Sequence, residues 1–277
     1  MKTVLVPMEN DDAMRSALET ALLLARRCNG YIEGFALLLR TVSYLGAEAM
    51  VNMPVPTEEL EEEAKKARQI FASFMQEHDV PQSTKTTEGL SFGWLNHIAN
   101  DVNFIGSYGR VFDVTVMKRP DANSTGLYGA AIEAGLFESG RPILLTPPSP
   151  PKQFATNVMI AWNRSTEQAR ATAFALPLLH KADRVTVLTV WEGAEVPGPS
   201  AEQLIQYLNR NGIVAELMTV ELEGKSTGEA ILATASSLSC DLLIKGAYTQ
   251  SRLRQIIFGG TTRHIMRHAG LPVLFAN

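Results

Sequence analysis

Short apolar runs alternate with longer amphipathic segments through the first half of the chain. Residues 3–7 form a β-branched apolar run that predicts a buried strand. Apolar residues then recur at helical spacing and predict one buried helix face: Met14, Ala17, Leu18, Ala21, Leu22 and Ala25. The same reasoning predicts further strands at 31–39, 84–87, 113–117 and 142–145, and helices at 57–78, from about Ser91, and at 127–138. Such alternation is typical of a parallel sheet with helices on both faces.

A proline-rich segment, residues 146–151, separates this series from a second one. Its four prolines are incompatible with a helix interior or a central strand, so it is predicted to be a stiff linker. Strands are then predicted at 157–161, 185–190, 213–220, 241–245 and 272–275, with helices between them. The sequence therefore predicts an α/β protein of two tandem doubly wound parallel-sheet domains, residues 1–147 and 152–277.

The two halves can be aligned with each other without a gap through the first strand and helix. Most differences in length then fall between the second and fourth strands. The matched pairs are Pro7 with Ala161, Ala17 with Ala171, Ala21 with Ala175, Asp113 with Asp241, and Pro142 with Pro272. The chain is thus interpreted as a duplicated domain, with a period too long for a solenoid repeat.

Polar residues at predicted helix starts have the form of capping boxes. Ser165 with Gln168, and Ser226 with Glu229, are spaced so that each side chain satisfies a backbone N–H of the other residue. On the exposed face of the helix at 57–78, the predicted ion pairs are Glu61 with Lys65 and Glu62 with Lys66.

Composition narrows the functional classes. The chain has 45% hydrophobic and 19% charged residues, a net charge of −4 and a pI near 5.8. These values are typical of a folded globular protein and argue against a basic surface for nucleic acid or anionic membranes. A single anionic ligand remains compatible with them.

Cysteine usage and the chain start favour a cytoplasmic protein. Cys28 and Cys240 have no metal-ligand spacing, which suits a reducing compartment. The first apolar run is too short for a signal peptide, and no apolar stretch reaches the length of about 18 residues that a membrane helix needs.

One stretch carries candidate chemistry: Gly246-Ala-Tyr-Thr249, nine further residues, and Gly259-Gly-Thr-Thr262 before a predicted helix. Glycines let a backbone approach phosphate oxygens closely, and a helix start adds the positive end of a dipole. In a doubly wound sheet, loops that follow the carboxyl ends of strands form the ligand-binding edge. The stretch is therefore predicted to bind phosphate groups.

The segment DLLIKGAYTQSRLRQIIFGGTTRHIMRHAGLPVLF resembles the C-terminal signature of universal stress proteins. Nucleotide-binding members of that family carry Gly-x-x-Gly, nine residues, Gly, then Ser or Thr. VLVPMEN and VMIAWNRS occupy the place of the family's opening strand and acidic turn, so the resemblance covers both halves. It departs from the pattern at Thr249 (Gly in the family), Gly260 (Ser or Thr) and Asn163 (Asp).

The resemblance implies a stress-response module that binds ATP or ADP, with or without magnesium, in its second half. Trp162 is open to two interpretations, because it could stack on a base or simply fill its place. Universal stress protein domains associate through their last strands, which implies pairing of 142–145 with 272–275 inside one chain and leaves a homodimer of the chain open. The implied nucleotide-binding residues are Ala161, Trp162, Asn163, Val190, Gly246, Thr249, Gly259, Gly260, Thr261 and Thr262.

The first half lacks the phosphate-loop pattern. Lys118-Arg-Pro-Asp121 takes the place of the first glycine cluster. Its two basic residues could attract an anion, but solvation is the favoured interpretation. No nucleotide is expected there.

Other signals are weaker, and two rival functions stay open. His264 and His268 lie four residues apart, a spacing that suits a metal ion or two helix-end histidines, and no third ligand is evident. Gly224-Lys-Ser226 is interpreted as a helix cap. No catalytic set can be nominated, so at most slow ATP hydrolysis is expected.

The two rival functions are a nucleotide-free interaction scaffold and a binder of lipid, metal or flavin in the first half.

Overall fold

A computed structural model of the protein describes residues 1–39, 57–83, 89–120, 126–191, 197–247 and 260–277. The strand predicted at 84–87 and the predicted site residues Thr249 and Gly259 lie outside these ranges.

The strands of the described residues form one sheet, and each half of the chain contributes five of them. The first half contributes β1 (Thr3–Met8), β2 (Tyr31–Leu37), β3 (Ser91–Ala99), β4 (Val114–Lys118) and β5 (Ile143–Thr146). The second half contributes β6 (Asn157–Ala161), β7 (Arg184–Trp191), β8 (Glu216–Glu221), β9 (Leu242–Gly246) and β10 (Val273–Ala276). The spatial order is β3-β2-β1-β4-β5-β10-β9-β6-β7-β8, with parallel neighbours within each half. The predicted α/β class with two doubly wound halves is confirmed.

Helices cover both faces of the sheet and bury alternate residues of its strands. Val6 and Ile160 belong to one apolar cluster, and Leu5 and Met159 belong to the other, because successive strand residues point to opposite faces. Each cluster contains residues of both halves. The helices are α1 (Met14–Cys28), α2 (Thr57–Glu77), α3 (Asn103–Tyr108), α4 (Gly126–Glu138), α5 (Thr166–Leu179), α6 (Ala201–Arg210), α7 (Thr227–Ser237) and α8 (Gly260–His268).

The halves join through their last strands, as predicted. β5 and β10 are antiparallel, and Leu144 pairs with Leu274, its counterpart in the duplication. The ends of α1 and α5 also meet: a guanidinium N–H of Arg27 donates to the Lys181 carbonyl, and Lys181 Nζ donates to the Arg27 carbonyl at 2.5 Å. Equivalent residues contact each other at both places, so the halves are related by a pseudo-twofold axis.

Two matched aspartates bind the amino ends of the central strands. The carboxylate of Asp113 accepts the backbone N–H of Thr3 at 3.0 Å, and that of Asp241 accepts the N–H of Asn157 at 3.0 Å. Burial raises the pKa of Asp113, but the amide hydrogen bonds from Lys2 and Thr3 outweigh it and hold that pKa below its usual value. The pairing of Asp113 with Asp241 is confirmed by this shared role.

Two local predictions were wrong. Residues from Ser91 onward form the strand β3 rather than a helix, because they pair with β2 at the end of the sheet. On α2 the observed ion pair joins Lys65 to Glu62 at 3.5 Å, three residues apart, rather than to Glu61.

Candidate functional site

The candidate site lies at the carboxyl ends of β6 and β9. In the sheet β6 stands between β9 and β7, so the connection after β6 and that after β9 leave in opposite directions. Such a reversal opens a crevice at the sheet edge. Ala161 ends β6, Gly246 ends β9, and α8 begins at Gly260, after residues 248–259, which the structure does not describe.

Gly246 has a packing role that the sequence did not indicate. A Cβ at this position would lie 2.4 Å from the backbone N of Gln168 and 2.7 Å from the backbone carbon of Glu167. Those atoms belong to the first turn of α5 and cannot move aside as a side-chain tip would. Glycine is therefore required for α5 to approach the end of β9.

Gln168 fastens the same junction and was not predicted as a site residue. Its fully buried side chain accepts the N–H of Gly246 through Oε1 at 2.7 Å and donates from Nε2 to the Ile244 carbonyl at 3.3 Å. The predicted capping box is therefore only half formed: Ser165 Oγ accepts the N–H of Gln168 at 3.1 Å, but the Gln168 amide does not return to Ser165. The Gln168 amide bonds the buried N–H of Gly246 instead of the N–H of Ser165, because a buried N–H without an acceptor is costly.

Trp162 fills its place rather than presenting a ring to a ligand. Only 7% of the residue is exposed, and it belongs to one of the two apolar clusters. Its indole Nε1 donates to the Pro199 carbonyl at 3.0 Å. Of the two interpretations left open by the sequence, packing is the one that this geometry supports.

Asn163 closes the turn between β6 and α5. Its Oδ1 accepts the Ser165 hydroxyl at 2.8 Å and the Ser165 N–H at 3.3 Å. Between them Arg164 has a φ of +64°, a left-handed conformation that costs a residue other than glycine about 1 kcal/mol. A Cβ on Gly198 would lie 2.7 Å from that of Arg164, so the 197–200 segment packs against this turn.

The start of α8 offers the most open backbone of the site. Gly260 is exposed, and a Cβ there would meet no atom within 4 Å. Thr261 is half-buried and Thr262 is buried. The first N–H groups of a helix have no acceptor inside it, so this turn presents donors and the positive end of a helix dipole. Val190 is half-buried near the end of β7, the strand beside β6.

The equivalent edge of the first half is occupied by an ion cluster. Lys118 takes the position of Gly246, and its Nζ lies 2.8 Å from a carboxylate oxygen of Glu9 and also bonds Asp11. Burial lowers the pKa of Lys118, but the hydrogen bonds and charges of Asp11 and Glu9 outweigh it and hold that pKa above its usual value. In the same way, burial raises the pKa of Asp11, while Lys118 and the N–H of Ala13 bring it below its usual value.

The two basic residues of this loop are therefore not simply solvated, which corrects the sequence interpretation. Lys118 is held by carboxylates, with 11% of its side chain exposed. Arg119 Nη1 donates to the Ala269 carbonyl at 2.8 Å, just after α8. A residue of the first half thus contacts the far end of the helix whose start lies at the candidate site.

No metal centre emerges from the described ranges. They hold no group of three His, Cys, Asp or Glu side chains that could bind a metal ion. His264 and His268 stack with ring centroids 4.3 Å apart, and His268 Nδ1 lies 2.9 Å from the His264 carbonyl, as expected for helix-end histidines. Ser226 and Glu229 form the predicted capping box at the start of α7.

A cavity of about 380 Å³ opens in the first half beside His97, Phe104 and Arg110. Its lining does not include Lys118, Glu9 or Asp11. Its lining mixes charges of both signs, and Arg110 Nε already donates to the Glu138 carbonyl at 3.0 Å. This geometry nominates no ligand class for the first half.

Two doubly wound parallel halves joined edge to edge, with an open helix start at the switch point of one of them, define a tandem Rossmann-like α/β protein. Comparison with known proteins extends this classification. The model of the universal stress protein family matches residues 155–277. This match covers the second half of the chain, which is therefore similar to universal stress proteins.

Individual relatives agree with this assignment. Universal stress protein Slr1230 of Synechocystis is 30% identical over 171 residues, and this match spans 59% of the chain and 57% of the relative's length. A universal stress protein from Archaeoglobus fulgidus DSM 4304 superposes with a TM-score of 0.74 at 15% identity, over 99% of this chain and 96% of that one. A functionally unknown protein from Pseudomonas aeruginosa PAO1 gives 0.58 at 14% identity, over 100% and 92%. The two structural matches establish the fold alone.

Among the described helices, none has the length and hydropathy of a membrane span.

Proposed function

We propose that the second half binds an adenine nucleotide, ATP or ADP, and that the first half serves as its structural partner in a stress-response module. The observation that carries this proposal is the difference between the two carboxyl edges. The first-half edge holds the ion cluster of Lys118, Glu9 and Asp11, whereas α8 begins at the second-half edge with an exposed Gly260.

The phosphates would lie against the first turn of α8. Thr249 and Gly259 stay candidates from the sequence and lie outside the described residues. Backbone N–H groups at Gly260, Thr261 and Thr262 suit phosphate oxygens. The adenosine part would lie along Ala161 and Val190, at the ends of adjacent strands. Trp162 and Asn163 would shape this pocket from behind, since their polar atoms already bond Pro199 and Ser165.

A matched pair of variants tests the phosphate contact. Gly260 and Gly126 are the first residues of α8 and α4, and a Cβ would meet nothing within 4 Å at either position. An aspartate at a helix start is well tolerated, so both Gly260→Asp and Gly126→Asp should leave the thermal melt nearly unchanged. Only Gly260→Asp should abolish ATP binding in calorimetry, because it places a negative charge where phosphate must approach.

The purified protein provides a second, independent readout. After denaturation, ultraviolet absorbance and mass spectrometry should detect released ATP or ADP. No released nucleotide, together with no binding of ATP or ADP at millimolar concentration with or without magnesium, would overturn the proposal.

A nucleotide-free scaffold is the second candidate, and the burial of Trp162 favours it. A buried ring cannot supply the stacking contact that many base sites use. In that case the second half would serve to extend the continuous sheet that β5 and β10 create. The absence of ATP or ADP binding in the test above would favour this scaffold function.

A further inference from the structure

The two outer edges of the sheet are finished differently. On β3, the N–H of Ser83 donates to the Phe92 carbonyl at 2.8 Å, and the N–H of Phe92 donates to the Pro81 carbonyl at 3.0 Å. The register between β2 and β3 also shifts after Gly34, which marks a bulge. A covered, bulged edge resists pairing with another chain.

The opposite edge, β8, is regular and open in the described part of the chain. Its register with β7 runs unbroken from Thr186–Glu216 to Trp191–Glu221. No described strand pairs with its other side. The backbone groups on that side therefore form a free template for an added strand.

Exposed large apolar side chains concentrate in the same region. One of those in the described residues, Val111, lies in the first half at 72% exposure. The others lie on β7, on α6, just before β8 and on β8 itself: Trp191 at 52%, Tyr207 at 39%, Val214 at 84% and Leu217 at 42%. Several such residues around one free edge are more than the scattered single exposures that a surface normally shows.

One end of this edge has the features of a cation site. Trp191 and Glu221 are direct register partners, so their side chains lie side by side on one face of the sheet. The Glu221 carboxylate is exposed and has no partner among the described residues. An indole face beside an unpaired carboxylate attracts a lysine or arginine side chain through cation–π and ionic contacts together.

The rest of that face is neutral. Alternation along β8 places Leu217 and Thr219 on the same side as Glu221. The hydroxyls of Thr219 and Thr189 lie 3.0 Å apart, which leaves Leu217 as the exposed apolar contact four residues from Glu221.

We propose that the outer edge of β8 binds an extended segment of a partner protein as an additional strand. Its Lys or Arg side chain would lie against Trp191 and Glu221, and its apolar side chain, four residues away, against Leu217. Main-chain hydrogen bonds supply affinity in this mode, and alternate side chains supply specificity. A second copy of the chain fits less well, because neither β8 nor β3 contains a Lys or Arg.

Blocked heptapeptides test the proposal on the full chain. The probes are Ser-Lys-Thr-Val-Thr-Leu-Ser and its reverse, Ser-Leu-Thr-Val-Thr-Lys-Ser, which cover both strand directions. One of them should bind in calorimetry, and replacing its Lys by Glu should weaken binding roughly tenfold or more. Glu221→Gln and Trp191→Ser should each weaken it about three- to tenfold.

Two matched variants control for general effects. Glu58→Gln removes an exposed carboxylate on α2, and Val111→Ser removes an exposed apolar side chain of the first half. Both should bind the probe like the parent. The proposal is overturned if neither probe binds at millimolar concentration, if the Glu peptide binds equally well, or if the controls weaken binding as much as Glu221→Gln. Self-association of the protein in sedimentation that Leu217→Arg abolishes would instead assign the edge to a second copy.

Discussion

The carboxyl edges of the two halves share a backbone plan and differ in chemistry. In the first half, Lys118 ends β4 and reaches Glu9 and Asp11. In the second half, Gly246 ends β9 and admits the first turn of α5, which the Gln168 amide fastens through hydrogen bonds between neutral groups. One residue at the strand end thus decides whether charge or close backbone packing completes the edge.

This difference is confined to one part of a duplicated fold. Away from the edges the halves stay matched: Leu144 pairs with Leu274, and Asp113 and Asp241 hold equivalent strands. Junction and core therefore keep the geometry that both halves need. The carboxyl edge, in contrast, is completed by different residues in the two halves.

The largest expected effect lies at the matched junction. Leu144→Lys and Leu274→Lys each place a charge on a side chain that is fully buried in the sheet. We expect each to lower the free energy of unfolding by about 3–5 kcal/mol, since no partner for the charge lies in these apolar clusters. Leu217→Lys, at an exposed position, should cost less than about 1 kcal/mol. Urea unfolding measures all three, and an unchanged midpoint for either buried variant would place the junction elsewhere.

The next effect compares a glycine in a tightly packed place with a glycine in open space. Gly246→Ala should lower the free energy of unfolding by about 2–4 kcal/mol, because its Cβ would meet the backbone of α5. Gly260→Ala should change it by no more than about 0.5 kcal/mol, because its Cβ meets nothing. Thermal and urea unfolding of the two variants give the comparison. Equal losses would show that Gly246 has no special packing role.

A smaller effect tests the ion cluster of the first half. Lys118→Met should lower the free energy of unfolding by about 1–3 kcal/mol at neutral pH, because it leaves Glu9 and Asp11 half-buried without their cation. Lys65→Met removes an ion pair whose side chains are 74% and 64% exposed, and should have almost no effect.

This stability difference should depend on pH in a defined direction. The pKa of Asp11 is lowered by folding, so its contribution is present above its unfolded pKa and is lost as pH falls. The pKa of Lys118 is raised, so its contribution is present at neutral pH and is lost only as pH rises through the folded value. Urea unfolding should therefore show the gap between parent and Lys118→Met narrowing below about pH 4. A constant gap from pH 7 to pH 3 would contradict this role of the cluster.

The periodicity of apolar residues predicted the fold, because buried strands and buried helix faces each require apolar residues at a regular spacing. The buried face of α1 and the strand β9 follow from spacing alone. β3 was missed because an edge strand is only partly buried, and its bulge breaks the alternation that marks a strand. The pairing of β5 with β10 needed the family resemblance, since it joins the two halves, and its register came only from the structure.

The candidate site was harder to predict because its contacts are distant in sequence. Gln168 was recognised as a cap residue, but its bonds to β9 span more than 70 residues and leave no local signal. The hydrogen bond between Lys118 and Asp11 likewise joins residues that are 107 positions apart in the sequence. Gly246 was predicted to bind phosphate. Its close approach to α5 was not predicted, because the position of that helix is known only from the structure.

Hydrogen–deuterium exchange of the full chain, with and without millimolar ATP, tests the central contrast most directly. Peptides that cover the start of α8 at Gly260 and the end of β6 at Ala161 should exchange more slowly with ATP. Peptides that cover Glu9, Asp11 and Lys118 should exchange at an unchanged rate. Protection confined to the second half would support the division of tasks between the two edges. Protection at the Lys118 edge, or none anywhere, would contradict it.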